Sequence, residues 1–330
     1  MKPTTIAVTG ASGHIGNVVC RQLLEKGHQV KALYQANSES LQGLPVSLVQ
    51  GSVLDKSDLK RLIEGCSVVI HCAAIISIDG DPSGIVFKTN TEGPENVLEL
   101  CLALGVKKLI HLSSVHAVME IPMAGAFDET RPYKTAAAFA YDYSKAQGEQ
   151  RLLRAVKDSS LELVILRPSS VVGPFDFKPS KFGKALLDFY NQKIPILPPG
   201  GYDFVDVRDV AQSVVAAIDQ GKNGEIYLLA GKYYSMKQLA GIIRKASAQK
   251  TPNKQIPFWV LKLCLPLISL FSRISGAAPL FTIESISALK YGHPNMDHSK
   301  ADRELGHQCR DLEATIRDFY EWIAEKNNPV

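Results

Sequence analysis

Among the six cysteines no pair has the C-x-x-C spacing; Cys20, Cys66, Cys72, Cys101, Cys264 and Cys309 are scattered, most of them in apolar runs. They read as buried thiols in a reducing compartment. A block of five or six basic residues is also missing, and lysine plus arginine exceed aspartate plus glutamate by only four, 37 against 33. Charge therefore gives no warrant for a nucleic-acid partner, while leaving room for an anionic small ligand. Met1 to Gly10 runs directly into a strand-like segment, without the basic, apolar and small-residue regions of a secretory leader, so a cytoplasmic protein is expected. No apolar stretch reaches the ~20 residues of a membrane span. The nearest, Ile256 to Phe271, is shorter and contains Lys262 and Pro266. Low-complexity tracts and internal repeats are absent, and 45% hydrophobic with 21% charged residues over 330 positions excludes an extensively disordered or fibrous chain. One body with two lobes and a sizeable core is expected.

What is present alternates. Thr5 to Thr9 is a short β-branched run, and Gly13 to Gly27 has helical spacing in Ile15, Val18, Val19, Leu23 and Leu24, closed by glycine. Val30 to Tyr34, Val46 to Gln50, Val68 to Ala74, Lys108 to Ser113 and Leu161 to Leu166 are further apolar runs, separated by helix-length segments. Such a pattern predicts an α/β protein with a parallel sheet covered on both faces, because parallel neighbours need crossovers. After Pro168 glycine and proline break the rhythm. Phe204 to Val207 and Glu225 to Ala230 still read as strands, and Asp209 to Asp219 as a helix capped by Asp209. The expected division is therefore discontinuous: a dinucleotide-binding lobe over 1–168, revisited by about 204–230, and a mostly helical substrate lobe over 169–203 and 231–330.

Gly10-Ala11-Ser12-Gly13-His14-Ile15-Gly16 sits between the first strand and the first helix. Its G-x-x-G-x-x-G spacing allows a tight turn and a close backbone approach to a pyrophosphate resting on the helix N-terminus. At the end of the second strand a carboxylate would select NAD and a cation NADP. Tyr34-Gln35 supplies neither, with Lys31 the nearby cation, and the loss of a repulsive acid tips the expectation slightly to NADP over NAD.

Tyr141 and Lys145 are four residues apart at the start of a helical segment. On one helix face, the ammonium can stabilise a tyrosinate and bring the phenol's pKa toward the working pH, which is general acid/base chemistry. Tyr233 and Lys237 repeat the spacing, but Tyr233 precedes the expected Ser235 N-cap and is placed in a loop. Tyr143 should point elsewhere.

Together with Val69-Ile70-His71-Cys72-Ala73-Ala74, Asn90 with Gly93, Ser113-Ser114, Leu166 to Pro174 and Phe204 to Ala211, these motifs resemble the extended short-chain dehydrogenase/reductase family, over nearly the whole chain. The resemblance implies a Rossmann-type doubly wound sheet and an NAD-dependent epimerase/dehydratase relative of the dihydroflavonol reductase and 3β-hydroxysteroid dehydrogenase branch. It further implies that Ser114 bonds the substrate oxygen, with Ser113 the second choice, that Tyr141 passes the proton, and that Lys145 holds the nicotinamide ribose. The implied cofactor contacts are Gly10, Ser12, Gly13, His14, Ile15, Gly16, Tyr34, Ser52, Val53, Ala73, Ala74, Asn90, Tyr141, Lys145, Pro168 and Ser170. One departure is Ser52, where the family often has an aspartate after Gly51; Asp55 reads as a capping or turn residue.

The expected reaction interconverts a carbonyl and a secondary alcohol on a hydrophobic small molecule. Ser170 stands where sugar-nucleotide epimerases and dehydratases usually carry an asparagine, and that reaction is kept as the alternative. A dinucleotide-binding regulator without turnover is third, disfavoured because tyrosine and lysine are both present. The run 256–271 is apolar almost all round and is read as core and pocket wall, ahead of a dimer contact or a membrane-surface attachment; a homodimer is left open. His71 and His111 read as packed, hydrogen-bonded imidazoles rather than metal ligands, and no metal is expected. His116 follows Ser114 and is a candidate for the substrate cleft.

Overall fold

Strands of a parallel sheet bury both faces, so their sequences carry apolar residues at successive positions. The computed structural model describes residues 4–275 and 282–327, the side chains of 267–275 and 327 excepted. In chain order it contains β1 (Thr5–Thr9), α1 (His14–Glu25), β2 (Gln29–Tyr34), β3 (Ser47–Gln50), α2 (Lys56–Ile63), β4 (Val68–His71), α3 (Ile85–Ala103), β5 (Lys108–Leu112), α4 (Ala140–Ala155) and β6 (Glu162–Pro168). The chain continues through β7 (Ser170–Val172), α5 (Lys181–Tyr190), β8 (Gly201–Asp206), α6 (Val207–Ala216), β9 (Ile226–Leu229) and β10 (Lys232–Ser235). It ends with the helices α7 (Met236–Ser247), α8 (Phe258–Ser275), α9 (Ile283–Lys290), α10 (Ser299–Leu305) and α11 (Leu312–Asn327).

Seven strands form one parallel sheet in the order β3-β2-β1-β4-β5-β6-β9. Ile6, Val8, Ile70, Ile110 and Val164 pack on one side against Val18, Val19 and Leu23 of α1 and Val210 and Val214 of α6. The alternating residues Ala7, Val69, Leu109 and Leu163 pack on the other against Leu59 and Leu62 of α2, Val97 and Leu98 of α3 and Leu152 of α4. This is the Rossmann-type doubly wound sheet. Strand order reverses between β1 and β4, which opens a crevice at their carboxyl ends.

A second sheet, β10-β8-β7, and a separate core of Val172, Leu186, Phe189, Phe204, Leu239, Ile243, Ile316 and Phe319 build the other part of the molecule. β8 pairs with β7 and β10, while its Val205 and the following Val207 pack in the core of the large sheet, which β9 joins. Two local expectations are corrected here. Asp206, not Asp209, caps α6, accepting the Arg208 amide at 2.7 Å, and the helix starts earlier and ends at Ala216. Asp209 instead accepts the backbone amide (2.7 Å) and Nε (2.8 Å) of Arg310. Tyr233 lies in a strand, opposite Asp203, although Ser235 does cap α7, in a reciprocal box with Gln238.

The apolar run on α8 divides. Leu261 is buried and Phe258 packs on the second core, but Trp259 and Leu263 are exposed, and none of residues 256–266 lines the main cavity. The pocket-wall expectation fails for these residues because a helix apolar all round has no face that its sequence selects. The side chains of 267–271 lie outside the described residues. No helix among the described residues is long and apolar enough to cross a membrane.

Candidate functional site

The glycine turn leads from the carboxyl end of β1 into α1 and lies against the backbone that follows β4. Gly10 has φ +65°, and a Cβ on it would lie 2.7 Å from the Ala73 backbone nitrogen. On Gly16 a Cβ would come within 2.2 Å of the Gly10 carbonyl oxygen, so bare backbone is needed at both positions. Gly13 is the N-cap of α1 and offers no side-chain cap, which leaves the first-turn amides for a ligand. These features fit a dinucleotide pyrophosphate. His14 Nε2 lies 3.0 Å from the Pro174 carbonyl and, with Ile15, lines the adjoining cavity, while the Ser12 carbonyl accepts the Ser40 hydroxyl.

At the adenosine end, sheet register sets Tyr34 beside Gln50, and the Tyr34 carbonyl accepts the Gly51 amide at 3.0 Å. Ser52 donates its amide to Asp58 Oδ2 at 2.9 Å, and Asp55 caps α2. The Val53 carbonyl accepts from Asn96 Nδ2. Lys31 is turned away onto the Glu64 carbonyl, 2.6 Å distant. Arg61, one turn after Asp58, reaches the Gln50 carbonyl at 3.0 Å. Asp58 and Arg61 were not singled out in the sequence, because both approach this strand end from a helix that only the crossover brings there.

Ser114, Tyr141 and Lys145 converge. Ser114 caps the short turn 115–117, accepting the His116 amide at 3.1 Å, and lines the same cavity as Tyr141 and Lys145. Lys145 is 3% exposed and donates to the Leu112 carbonyl at 2.9 Å. Burial brings its ammonium down to about 8, against the opposing pull of Glu149 and Cys72. Burial also pushes the Tyr141 phenol up, only partly offset by Ser114. The expected lowering of the phenol is thus not met in this arrangement, since desolvation dominates and the ammonium is spent on Leu112. Ser113 lines the same cavity with a buried hydroxyl that has no hydrogen-bond partner among the described residues. Tyr143 stacks on Phe87 at 5.5 Å, away from the site.

Asn90 clamps chain segments together: its side chain exchanges two 2.9 Å bonds with the Ile75 backbone and donates to Ser144 Oγ. Beneath α4, the fully buried Glu149 and Arg167 form a two-pronged ion pair, with Nε–Oε1 at 3.0 Å and Nη2–Oε2 at 2.7 Å, and Nη1 donates to the Glu129 carbonyl. That pair ties the helix bearing Tyr141 and Lys145 to β6.

In front of these groups lies a cavity of about 570 Å³. Ala74, Pro168 and Ser170 stand on its wall, and Ile76, Phe127, Phe182, Phe189, Leu239 and Leu289 make it largely apolar. His116 belongs to it, with Nδ1 3.1 Å from Asp142 and its ring edge-on to Tyr141 at 6.0 Å. Asp142 also pairs with Lys134 at 2.5 Å, and Lys134 with Glu120 at 2.9 Å.

His71 and His111 stack at 5.3 Å in the sheet, His71 bonded to Thr9 Oγ1. Burial lowers both, His71 to about 3, so the rings are neutral. The expected hydrogen bonding is corrected for His111, whose nitrogens have no partner among the described residues. One trio that the sequence reading passed over, His298, His307 and Cys309, has ligand-type atoms within 4.8 Å of one another. Its members already serve the chain: His307 meets Ser213 Oγ and the Ala230 carbonyl, each at 2.8 Å, and Cys309 donates to the same carbonyl at 3.2 Å.

A doubly wound sheet with a glycine-rich turn at its switch point and a cavity against that turn defines a dinucleotide-dependent α/β enzyme. The chain belongs to the NAD dependent epimerase/dehydratase family, whose model matches residues 6–230, and it is an NAD(P)-dependent enzyme of the oxidoreductase and epimerase type. Sterol demethylase protein B of Methylococcus capsulatus is 31% identical over 328 residues, covering 98% of this chain and 99% of that protein. Dihydroflavonol 4-reductase of Callistephus chinensis is 27% identical over 297 residues, covering 82% and 80%. Among solved structures, gox2253 superposes with a TM-score of 0.84 at 29% identity, covering 98% and 99% of the two chains.

Proposed function

We propose that this enzyme interconverts a carbonyl and a secondary alcohol on a hydrophobic small molecule, with NADP preferred to NAD. The observation that carries the reading is the meeting of Ser114, Tyr141 and Lys145 at the wall of a cavity lined mainly by aliphatic and aromatic side chains. Residues 1–168, rejoined by α6 and β9, would hold the cofactor, and 169–203 with 231–330 the substrate.

The Gly10 to Gly16 turn and the first amides of α1 would hold the pyrophosphate, and Lys145 the nicotinamide ribose. Arg61, which reaches the carbonyl of the β3 residue paired with Tyr34 and is ion-paired with Asp58, would be the cation offered to a 2′-phosphate. When bound, the nicotinamide supplies or accepts the hydride. Ser114 orients the reacting oxygen, and Tyr141 donates or takes its proton. Lys145, on α4 four residues after Tyr141, supplies positive charge that favours the tyrosinate once the phenol has lost its proton. Aliphatic and aromatic walls stabilise an apolar skeleton by about 25 cal/mol per Å² buried.

A nucleotide-sugar epimerase would use the same three residues. Against it stands Ser170, where such enzymes usually carry an asparagine. The cavity itself holds both signs of charge, with Glu120, Asp142, Asp203 and Glu284 beside Lys134, Lys181 and Lys184. The test is turnover with NADPH on a panel of hydrophobic ketones and aldehydes, run beside nucleotide sugars. Cofactor consumption on the ketones is the expected result. Ring-carbon inversion of nucleotide sugars without net cofactor consumption, and no reaction with the ketones, would establish the epimerase instead. The names of two relatives, sterol demethylase protein B and dihydroflavonol 4-reductase, support the same substrate class.

A further inference from the structure

From Ile226 to Ile283 the sequence has no aspartate or glutamate and eight lysines and arginines, running from Lys232 to Arg273. The rest of the chain holds 29 basic and 33 acidic residues, so the positive balance of the protein comes entirely from this stretch. Within it, among the described residues, the one ion pair is Lys245 with Glu313. Trp259 is 66% exposed and Leu263 69% on α8, and Ile283, at the start of the adjoining α9, is 69% exposed. Lys254 and Lys262 are exposed close to them in sequence. Large apolar side chains in water beside unpaired lysines are a costly combination for a face that meets only solvent.

We infer that the described face carrying Lys254, Trp259, Lys262, Leu263 and Ile283 docks on the surface of an anionic lipid bilayer, with Trp259 and Leu263 entering the boundary between headgroups and acyl chains and the lysines meeting lipid phosphates. Tryptophan suits that boundary because its ring is apolar and its N–H is polar, and each lysine near an anionic leaflet adds attraction that salt weakens. Spanning is not implied, since Lys262 and Pro266 interrupt the apolar helix and no described helix is long and apolar enough to cross. A second copy of the chain is a poorer occupant: a two-fold contact would set this wholly cationic stretch against itself. Charge complementarity thus selects the bilayer. The α9 helix that begins at Ile283 also forms a wall of the cavity through Ser285, Ala288 and Leu289, so the docked face adjoins the active site. None of this depends on which reaction the site performs.

The test mixes the full chain with extruded vesicles of phosphatidylcholine alone or with a third phosphatidylglycerol, at low and high salt. Sedimentation with the anionic vesicles at low salt, falling roughly tenfold or more with phosphatidylcholine alone or with salt, is expected. The chain has two tryptophans, Trp259 and Trp322. In a Trp322→Phe background the emission of Trp259 should shift to the blue on vesicle addition and be quenched by brominated lipid. The Lys254→Glu/Lys262→Glu and Trp259→Ser/Leu263→Ser double variants should each lose roughly tenfold or more of the partitioning, with unchanged melting curves. The inference is overturned by absent sedimentation, by equal binding to neutral vesicles, by variants that bind as well as the parent, or by a dimer that Trp259→Ser dissolves.

Discussion

Around α4 almost every charge has a partner: Glu149 with Arg167, Asp142 with Lys134 and His116, and Lys145 with the Leu112 carbonyl. On α8 the reverse holds, with Trp259 and Leu263 in water and Lys262 exposed between them without a described acid partner. The two regions stabilise different things. Inside, hydrogen-bonded charges fix where Tyr141 and Lys145 stand, and removing one member strands another. Outside, little of the fold depends on the side chains, which leaves them free to serve contacts made with something else.

The sharpest way to break this contrast is at the buried pair. Glu149→Ala should cost about 3–5 kcal/mol, because it leaves Arg167 charged and unpaired at 1% exposure. A denaturant titration measures it; a change below 1 kcal/mol would mean that the pair does not hold α4 in place. Next comes the glycine turn, where two glycines should behave differently. Gly16→Val drives a Cβ into the Gly10 carbonyl and should compromise folding. At Gly13 the φ is −80° and the position is exposed, so Gly13→Val should fold yet weaken NADPH binding by at least tenfold, ~1.4 kcal/mol, in a fluorescence titration.

A smaller effect is expected from pH. Lys145 is charged below about 8 and neutral above it, so dinucleotide affinity should decline as pH rises through about 8, and Lys145→Met should flatten that profile. The sign for stability is opposite. Since the folded value lies below the ordinary 10.5, burying the ammonium costs stability at pH below 8, and the cost fades between about 8 and 10.5. Smallest of all, Trp259→Ser should change thermal stability by no more than about 0.5 kcal/mol, as for other exposed positions. A larger loss would show that α8 is an internal support and remove the contrast.

Local features were legible in the sequence: the glycine turn, the strand-helix alternation and the i, i+4 spacing of Tyr141 and Lys145 all depend on residues within one or two turns of each other. What escaped came from long-range placement. Arg61 reaches the carbonyl end of β3 through a helix, and Glu149 finds Arg167 across a crossover connection. Asp209 reads as a cap by composition, but β8 ends at Asp206 and makes that residue the N-cap of α6. The exposed side of α8 was unreadable because its apolar residues follow no single face.

In the proposed reaction Tyr141 transfers the proton in a site built around Ser114 and Lys145. Mixing the Tyr141→Phe variant with NADPH and the best ketone of the panel, while following NADPH binding and oxidation separately, tests it most directly. Retained binding with turnover reduced by about 10²–10⁴ is predicted. Turnover within a few-fold of the unmodified enzyme would contradict the account.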